Sequence, residues 1–346
     1  MGRNQGILNK GLEIRRPPKK AFLGVFYVLA LALFLLLVLH KNPLADQHTE
    51  MLKKICGSLL IAMSCIGVSF GYDKLTVLPG ELFQNRKLIK KLAINDFKKR
   101  YAGSNWGIIW ALVQPIVTVI LYYIVFGVIF KGGRTEELAE AQAAMEVPQV
   151  LFLTAGLVPW FFFMEGLTNG TTSLLEYNYL VKKVLFKISI LPVIKVIAAM
   201  FIHVFFILLL FVVAVINGYG PSIYWIQIIY YMGCEFILIL SLSFLTCSVA
   251  VFLRDIIHFI GIFMQVLQWA TPILWNIEML PDKYRWIVKL IPVTYIVEGY
   301  RNSIYGETWF FEHFYSSTYF WICVVILFCI GTLVFKRTKP HFADVL

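Results

Sequence analysis

Glu165, His203 and Glu235 stand inside long apolar runs of the sequence. An ionisable group at bilayer depth is costly to bury, so each is a functional candidate. Glu165 either faces a pathway or reaches water near the end of its run. His203 either faces a pathway or hydrogen-bonds a neighbouring helix. Glu298 and Arg301, spaced i, i+3 within IPVTYIVEGYRNSIYG, could pair on one helix face.

Basic side chains gather in two further places. ELFQNRKLIKKLAINDFKKRY (residues 81–101) is too charged to span a membrane. At about 100° per residue, Leu82, Ile89, Ala93 and Phe97 share one face, with Lys87, Lys91 and Lys98 opposite. The segment is either an interfacial amphipathic helix on the cytoplasmic leaflet, with Arg86 and Arg100 snorkelling, or a basic loop. LLEYNYLVKKVLFKI (residues 174–188) carries Lys182, Lys183 and Lys187 and is helical in composition, ending near Pro192. It either docks into a cytoplasmic partner or lies as an ordinary helix on lipid head groups.

Nothing in the sequence points to bond-making chemistry. There is no G-x-x-x-x-G-K-[ST] phosphate loop, so the chain binds no nucleotide by that route. No nucleophile elbow, outer pair of carboxylates or H-E-x-x-H occurs. The six cysteines form no C-x-x-C pair and lie in or beside apolar runs, as small buried hydrophobes do.

These groups must be positioned by membrane helices. The chain has 346 residues, 59% hydrophobic and 15% charged, with a mean hydropathy of +0.75. A soluble domain is about 45–50% apolar and about 25% charged, so secreted enzymes, cytosolic enzymes and disordered regulators are excluded. Eight runs are candidates to cross the bilayer: residues 21–39, 55–72, 107–130, 148–172, 196–216, 223–252, 256–275 and 318–335. The first is long and lacks a small-residue cleavage site, so no removable signal peptide is expected. The net charge of +11 would suit nucleic acid, but Lys and Arg sit between the runs. With both termini inside, the cytoplasmic segments hold 22 of the 31 Lys and Arg, and the outer segments hold 11 of the 20 Asp and Glu. That is the positive-inside pattern, and no nucleic-acid partner is expected.

The fold class expected is all-α and polytopic. Residues 1–80 form a basic tail and a two-helix transmembrane hairpin. Residues 81–105 form the cytoplasmic amphipathic segment, and residues 106–346 a six-span core. Between the fifth and sixth spans of that core, residues 276–305 are broken by Pro281, Pro292 and Gly299. They read as two short re-entrant helices buried in protein, or as an interfacial loop cap. The two halves of the core show no repeat, so an inverted-repeat transporter is not supported.

Four ordered blocks resemble the type-2 ABC export permeases, in the branch that exports O-antigen, capsular polysaccharide and teichoic acid. NDFKKRYAGSNWGIIWALVQPIVTVILYYIVFGVIF (95–130) resembles the start of the family core. GLVPWFFFMEGLTNGTTSLLEYNYLVKKVLFKISILP (156–192) is similar to its second span and coupling helix. VFLRDIIHFIGIFMQVLQWATPILW (251–275) resembles its fifth span, and IPVTYIVEGYRNSIYG its re-entrant segment, with Pro292, Glu298 and Arg301 in the familiar order. The resemblance covers roughly residues 81–340, leaving the N-terminal hairpin outside it. It departs after Phe186, where Lys187 and Ile188 stand in place of the usual Pro and basic residue.

The resemblance implies a homodimeric channel in the plasma (inner) membrane, bound to two copies of a separate ABC ATPase subunit. ATP and Mg would sit on that partner, with no cofactor on this chain. Glu176, Tyr177, Asn178, Leu180, Lys182, Lys183, Phe186 and Lys187 would couple to the ATPase. Arg86, Lys87, Lys90, Lys91, Lys98, Lys99, Arg100 and Tyr101 would meet the diphosphate of a lipid-linked polysaccharide, since clustered cations attract anionic head groups. Trp106, Trp110, Tyr122, Trp160, Phe163, Glu165 and Trp269 would line the path, where rings slide along sugars. Two alternatives stand beside this reading: a permease of the same type for a small lipid or drug, and a membrane glycosyl- or acyltransferase.

Overall fold

A computed structural model describes residues 18–39, 47–75, 77–100, 107, 109–129, 147–182 and 187–346. Every regular element among the described residues is helical. Apolar length explains the largest of them. Five helical stretches are long and apolar enough to cross a bilayer: Lys19–Leu39, Gln149–Glu176, Ile190–Ile216, Ile223–Phe252 and Phe314–Val345. The other three candidate runs fall on shorter apolar stretches, Lys54–Ser69, Pro115–Val125 and Ile256–Ala270. Ile256–Ala270, a helix of 15 residues, reaches only about 22 Å at about 1.5 Å each, short of the roughly 30 Å hydrocarbon layer, whereas Lys54–Ser69 lies within the 29-residue helix Gln47–Leu75.

Helices α1 (Lys19–Leu39) and α2 (Gln47–Leu75) pair, and α2 packs on the C-terminal long helix. Leu37, Ile61 and Ile322 form the small apolar cluster that joins the three. Next come α3 (Val77–Gln84) and α4 (Arg86–Arg100). The basic segment is thus two helices, divided at Asn85, whose Nδ2 donates to the Glu81 carbonyl at 2.6 Å. A side chain that bonds its own backbone competes with helix continuation. The apolar face of α4 is covered by protein: Ile89 and Ala93 are buried, and Phe97 meets Phe201 edge-on at 5.6 Å. The face expected to meet lipid therefore packs on a neighbouring helix.

Helix α5 (Ile109–Tyr122) runs into a wider π-type turn at Tyr123–Ile129. Helix α6 (Gln149–Glu176) is the hub, packing against α5 and against five elements further along the chain. After Tyr177 comes the four-residue α7 (Asn178–Val181), and then α8 (Ile190–Ile216). Pro192 lies in the first turn of α8 rather than ending the segment before it, because a proline is tolerated where the N–H has no helical acceptor. Helices α9 (Gln227–Phe252) and α10 (Ile256–Ala270) follow, then α11 (Asp282–Lys289), α12 (Pro292–Arg301), α13 (Phe314–Thr338) and the short α14 (Phe342–Val345).

Without water between them, membrane helices associate by close packing of small residues. Gly170 of α6 leaves no room for a Cβ against Ser243 of α9. On the other side of α9, a Cβ at Gly331 of α13 would lie 2.5 Å from the Ser241 carbonyl. Helix α9 is therefore held tightly between α6 and α13.

Candidate functional site

Residues spaced three and four apart on α6 share a face, and this face of α6 borders an open cleft of about 600 Å³. Trp160, Phe161, Met164, Glu165, Thr168 and Asn169 contribute from α6. Trp110, Thr118 and Tyr122 contribute from α5, His203 and Phe206 from α8, and Gln268 from α10. Gln268 Nε2 donates to the Tyr122 hydroxyl at 3.1 Å, tying α10 to α5. The lining joins aromatic faces to amide, hydroxyl and carboxylate groups. Such a mixture suits a ligand with both apolar faces and hydroxyls.

Four of the expected path residues, Trp110, Tyr122, Trp160 and Glu165, line this cleft. Two others do not. Phe163 is packed in the core beside Trp160, with ring centroids 5.9 Å apart. Trp269, near the end of α10, is exposed and outside the cleft lining. Trp106 lies outside the described residues, as do Tyr101, Lys183 and Phe186.

At one end of the cleft an ion-pair network joins three helices. Arg100, the last residue of α4, bonds Glu165 of α6 and lies 3.8 Å from Asp96. Lys195 of α8 donates to Asp96 at 2.9 Å and to Glu176, at the end of α6, at 2.6 Å. The Tyr177 hydroxyl donates to Asp96 at 2.5 Å, and its ring lies 5.0 Å from the Lys195 ammonium. Burial, then the Asp96 carboxylate, push the Tyr177 phenol up, so it keeps its proton and acts as a donor. Close by, Ser189 bonds Glu81 of α3. The other cations of α4, among them Lys87, Lys90, Lys91, Lys98 and Lys99, stand exposed, as does Arg86 just over the Phe83 ring.

Of the expected coupling residues, Glu176 and Tyr177 belong to this network. Asn178 and Lys182 are exposed, and Leu180 and Lys187 are half-buried. The surface they form adjoins the network directly.

Toward the start of α6, at Phe152 and Gly156, α12 packs in the core with Pro292 at its first turn. Arg301 is 3% exposed. Its Nη1 donates to the Pro272 carbonyl at 2.6 Å and to Glu298 at 3.0 Å, and its Nη2 to the Ile273 carbonyl at 2.8 Å. The guanidinium stacks on Phe152 of α6 at 3.7 Å. The i, i+3 pair forms, but within a cradle that locks α12 to α6 and to the turn after α10. By contrast α11 is largely exposed, burying only Val288. His203 bonds the Tyr300 hydroxyl at 2.7 Å, stacks on Phe162 and lies 3.9 Å from the fully buried Glu235.

Asp96 and Lys195 were not legible as site residues. Both read as single charges near basic segments, and the two lie 99 positions apart in the chain. One signal could have found Lys195: it follows Pro192 within an otherwise apolar stretch, ILPVIKVIAAM.

The sequence profile of the ABC-2 type transporter family matches residues 87–305. The chain is similar to the O-antigen export system permease protein RfbA of Klebsiella pneumoniae, 25% identical over 261 residues, which covers 75% of this chain and 95% of that protein. It is also similar to the O-antigen export system permease protein RfbA of Myxococcus xanthus, 22% identical over 271 residues, covering 76% of this chain and 97% of the relative.

Proposed function

The chain belongs to the ABC-2 type transporter family, and from that premise we propose that it is the membrane subunit of an ATP-driven exporter of a lipid-linked polysaccharide or teichoic acid. It is a multi-pass transport permease of the O-antigen export type, not itself an enzyme. The polymer moves from the cytoplasmic to the outer side of the plasma membrane, and both termini face the cytoplasm. The observation that carries the reading is the cleft: its aromatic and polar lining is bordered by the cationic helix α4 and joined through ion pairs to the coupling segment.

Each part of the site has a role in this mechanism. The exposed lysines of α4 attract the diphosphate of the carrier lipid, since clustered cations hold anionic head groups. Trp110, Tyr122 and Trp160 present ring faces to sugars, while Asn169, Thr168 and Gln268 offer hydrogen bonds to hydroxyls. A second copy of the chain covers the exposed apolar faces of α5 and α10, where Ile120, Leu121, Phe263 and Val266 stand in the open. Two ATPase subunits, holding ATP and Mg, engage the surface that carries Glu176, Asn178 and Lys182 and drive the spans.

Reconstitution tests this. Liposomes containing the chain together with the ATPase that co-purifies with it should hydrolyse ATP and move a polyprenyl-diphosphate oligosaccharide across the bilayer. The chain alone should do neither. ATP hydrolysis by the chain alone, or transport of a hydrophobic drug in place of the glycolipid, would contradict the reading.

A further inference from the structure

We infer that Asp96 and Lys195 are positioning residues that carry movement of the coupling segment to α4 and to the cleft. The inference rests on the proposed function and deepens it by naming the joint between the ATPase contact and the glycan path.

Asp96 is 8% exposed and Lys195 is 6% exposed, and neither lines the cleft. They are therefore unsuited to holding a ligand themselves. Taking two charges out of water costs about as much as their attraction returns, so a buried ion pair is poor glue. In some proteins such a pair instead fixes one arrangement of the elements that bear it, and the geometry here suits that role. Here one ammonium holds two helices at once. Lys195 Nζ is 2.9 Å from Asp96 Oδ1 on α4 and 2.6 Å from Glu176 Oε2 at the end of α6. The same Asp96 oxygen receives the Tyr177 hydroxyl at 2.5 Å.

The far arm of the joint is Arg100. It lies one helical turn beyond Asp96, 3.8 Å from its other carboxylate oxygen, and bonds Glu165 in the cleft. A displacement of residues 176–177 thus pulls on Asp96 through two hydrogen bonds. Because α4 is a rigid helix, the displacement reaches Arg100 and changes its hold on Glu165. The remaining contact between α4 and α8 includes the edge-on Phe97–Phe201 pair. An apolar contact of that kind is non-directional, so it holds the two helices together without carrying the directed pull.

Asp96→Asn, Lys195→Met, the double variant and the charge-keeping Lys195→Arg are compared with wild type in the reconstituted complex. The measurements are ATP hydrolysed, fluorescent polyprenyl-diphosphate oligosaccharide moved, and thermal stability. Each neutralising single variant should still hydrolyse ATP but move about tenfold less glycolipid per ATP, and the double should be no worse than either, as coupled residues behave. Lys195→Arg should restore most of the wild-type ratio. The inference is overturned if the ratio is unchanged, if the two losses add in the double, or if in the double variant, which leaves neither charge buried without its partner, hydrolysis and transport fall together with stability. A wild-type complex lacking ATP-dependent transport removes the functional reading and the joint with it, and the wild-type arm tells the two failures apart.

Discussion

Arg301 shows how one side chain can fix a fold in an apolar interior. Its guanidinium satisfies two carbonyls of the turn after α10 and the Glu298 carboxylate, and it stacks on Phe152. Gly156 is part of the same cradle, since a Cβ there would lie 3.0 Å from Arg301 Nη2. Arg301→Met keeps the length and loses the donors. It should destabilise the purified protein by about 3 kcal/mol, the scale for stripping a partner from a buried charge pair, seen as a lower melting temperature in detergent. An unchanged melting temperature would show that the cradle is not structural. The spacing of Glu298 and Arg301 made this pair legible, because i, i+3 neighbours on a helix meet whatever surrounds them. The two carbonyl acceptors were not legible, since they come from residues 28 and 29 positions away. Arg100 gives the same lesson. Its place on the apolar side of α4 suggested a snorkelling side chain, whereas it turns to Glu165, 65 positions along the chain.

At the scale of elements, α4 has two faces with two duties. Ile89, Ala93 and Phe97 hold it against α8, and its lysines remain in solvent. The amphipathic period showed which residues would be buried, but not that protein rather than lipid would bury them. That choice belongs to α8, which the period of α4 does not encode. If the exposed face attracts the carrier diphosphate, replacing Lys87, Lys91 and Lys98 together by Gln should raise the KM for a polyprenyl-diphosphate oligosaccharide several-fold. The effect should shrink as ionic strength rises, because exposed charges are screened beyond about 10 Å at 0.1 M salt. Basal ATP hydrolysis should be unaffected, since these lysines lie outside the ion-pair joint. A KM that does not move would assign the lysines to topology alone. The segment after α6 was the least legible element: its composition is helical, yet Tyr177 interrupts it and only Asn178–Val181 continues as helix among the described residues.

For the whole molecule, composition and the length of apolar runs disclosed an all-α membrane protein, because burying so much apolar surface leaves few other solutions. The hub role of α6 was hidden, because it depends on glycines whose worth appears only against Ser243 and Arg301. Under the proposed function the end of the bundle that carries Glu176, Tyr177 and Lys182 faces the cytoplasm, within reach of an ATPase subunit. Cysteine placed at Tyr179, which is 52% exposed, in a chain freed of its own cysteines, reports this directly. A membrane-impermeant maleimide should leave this cysteine unlabelled in intact cells and label it fully in inside-out vesicles. Labelling of intact cells would put that end outside and contradict the account.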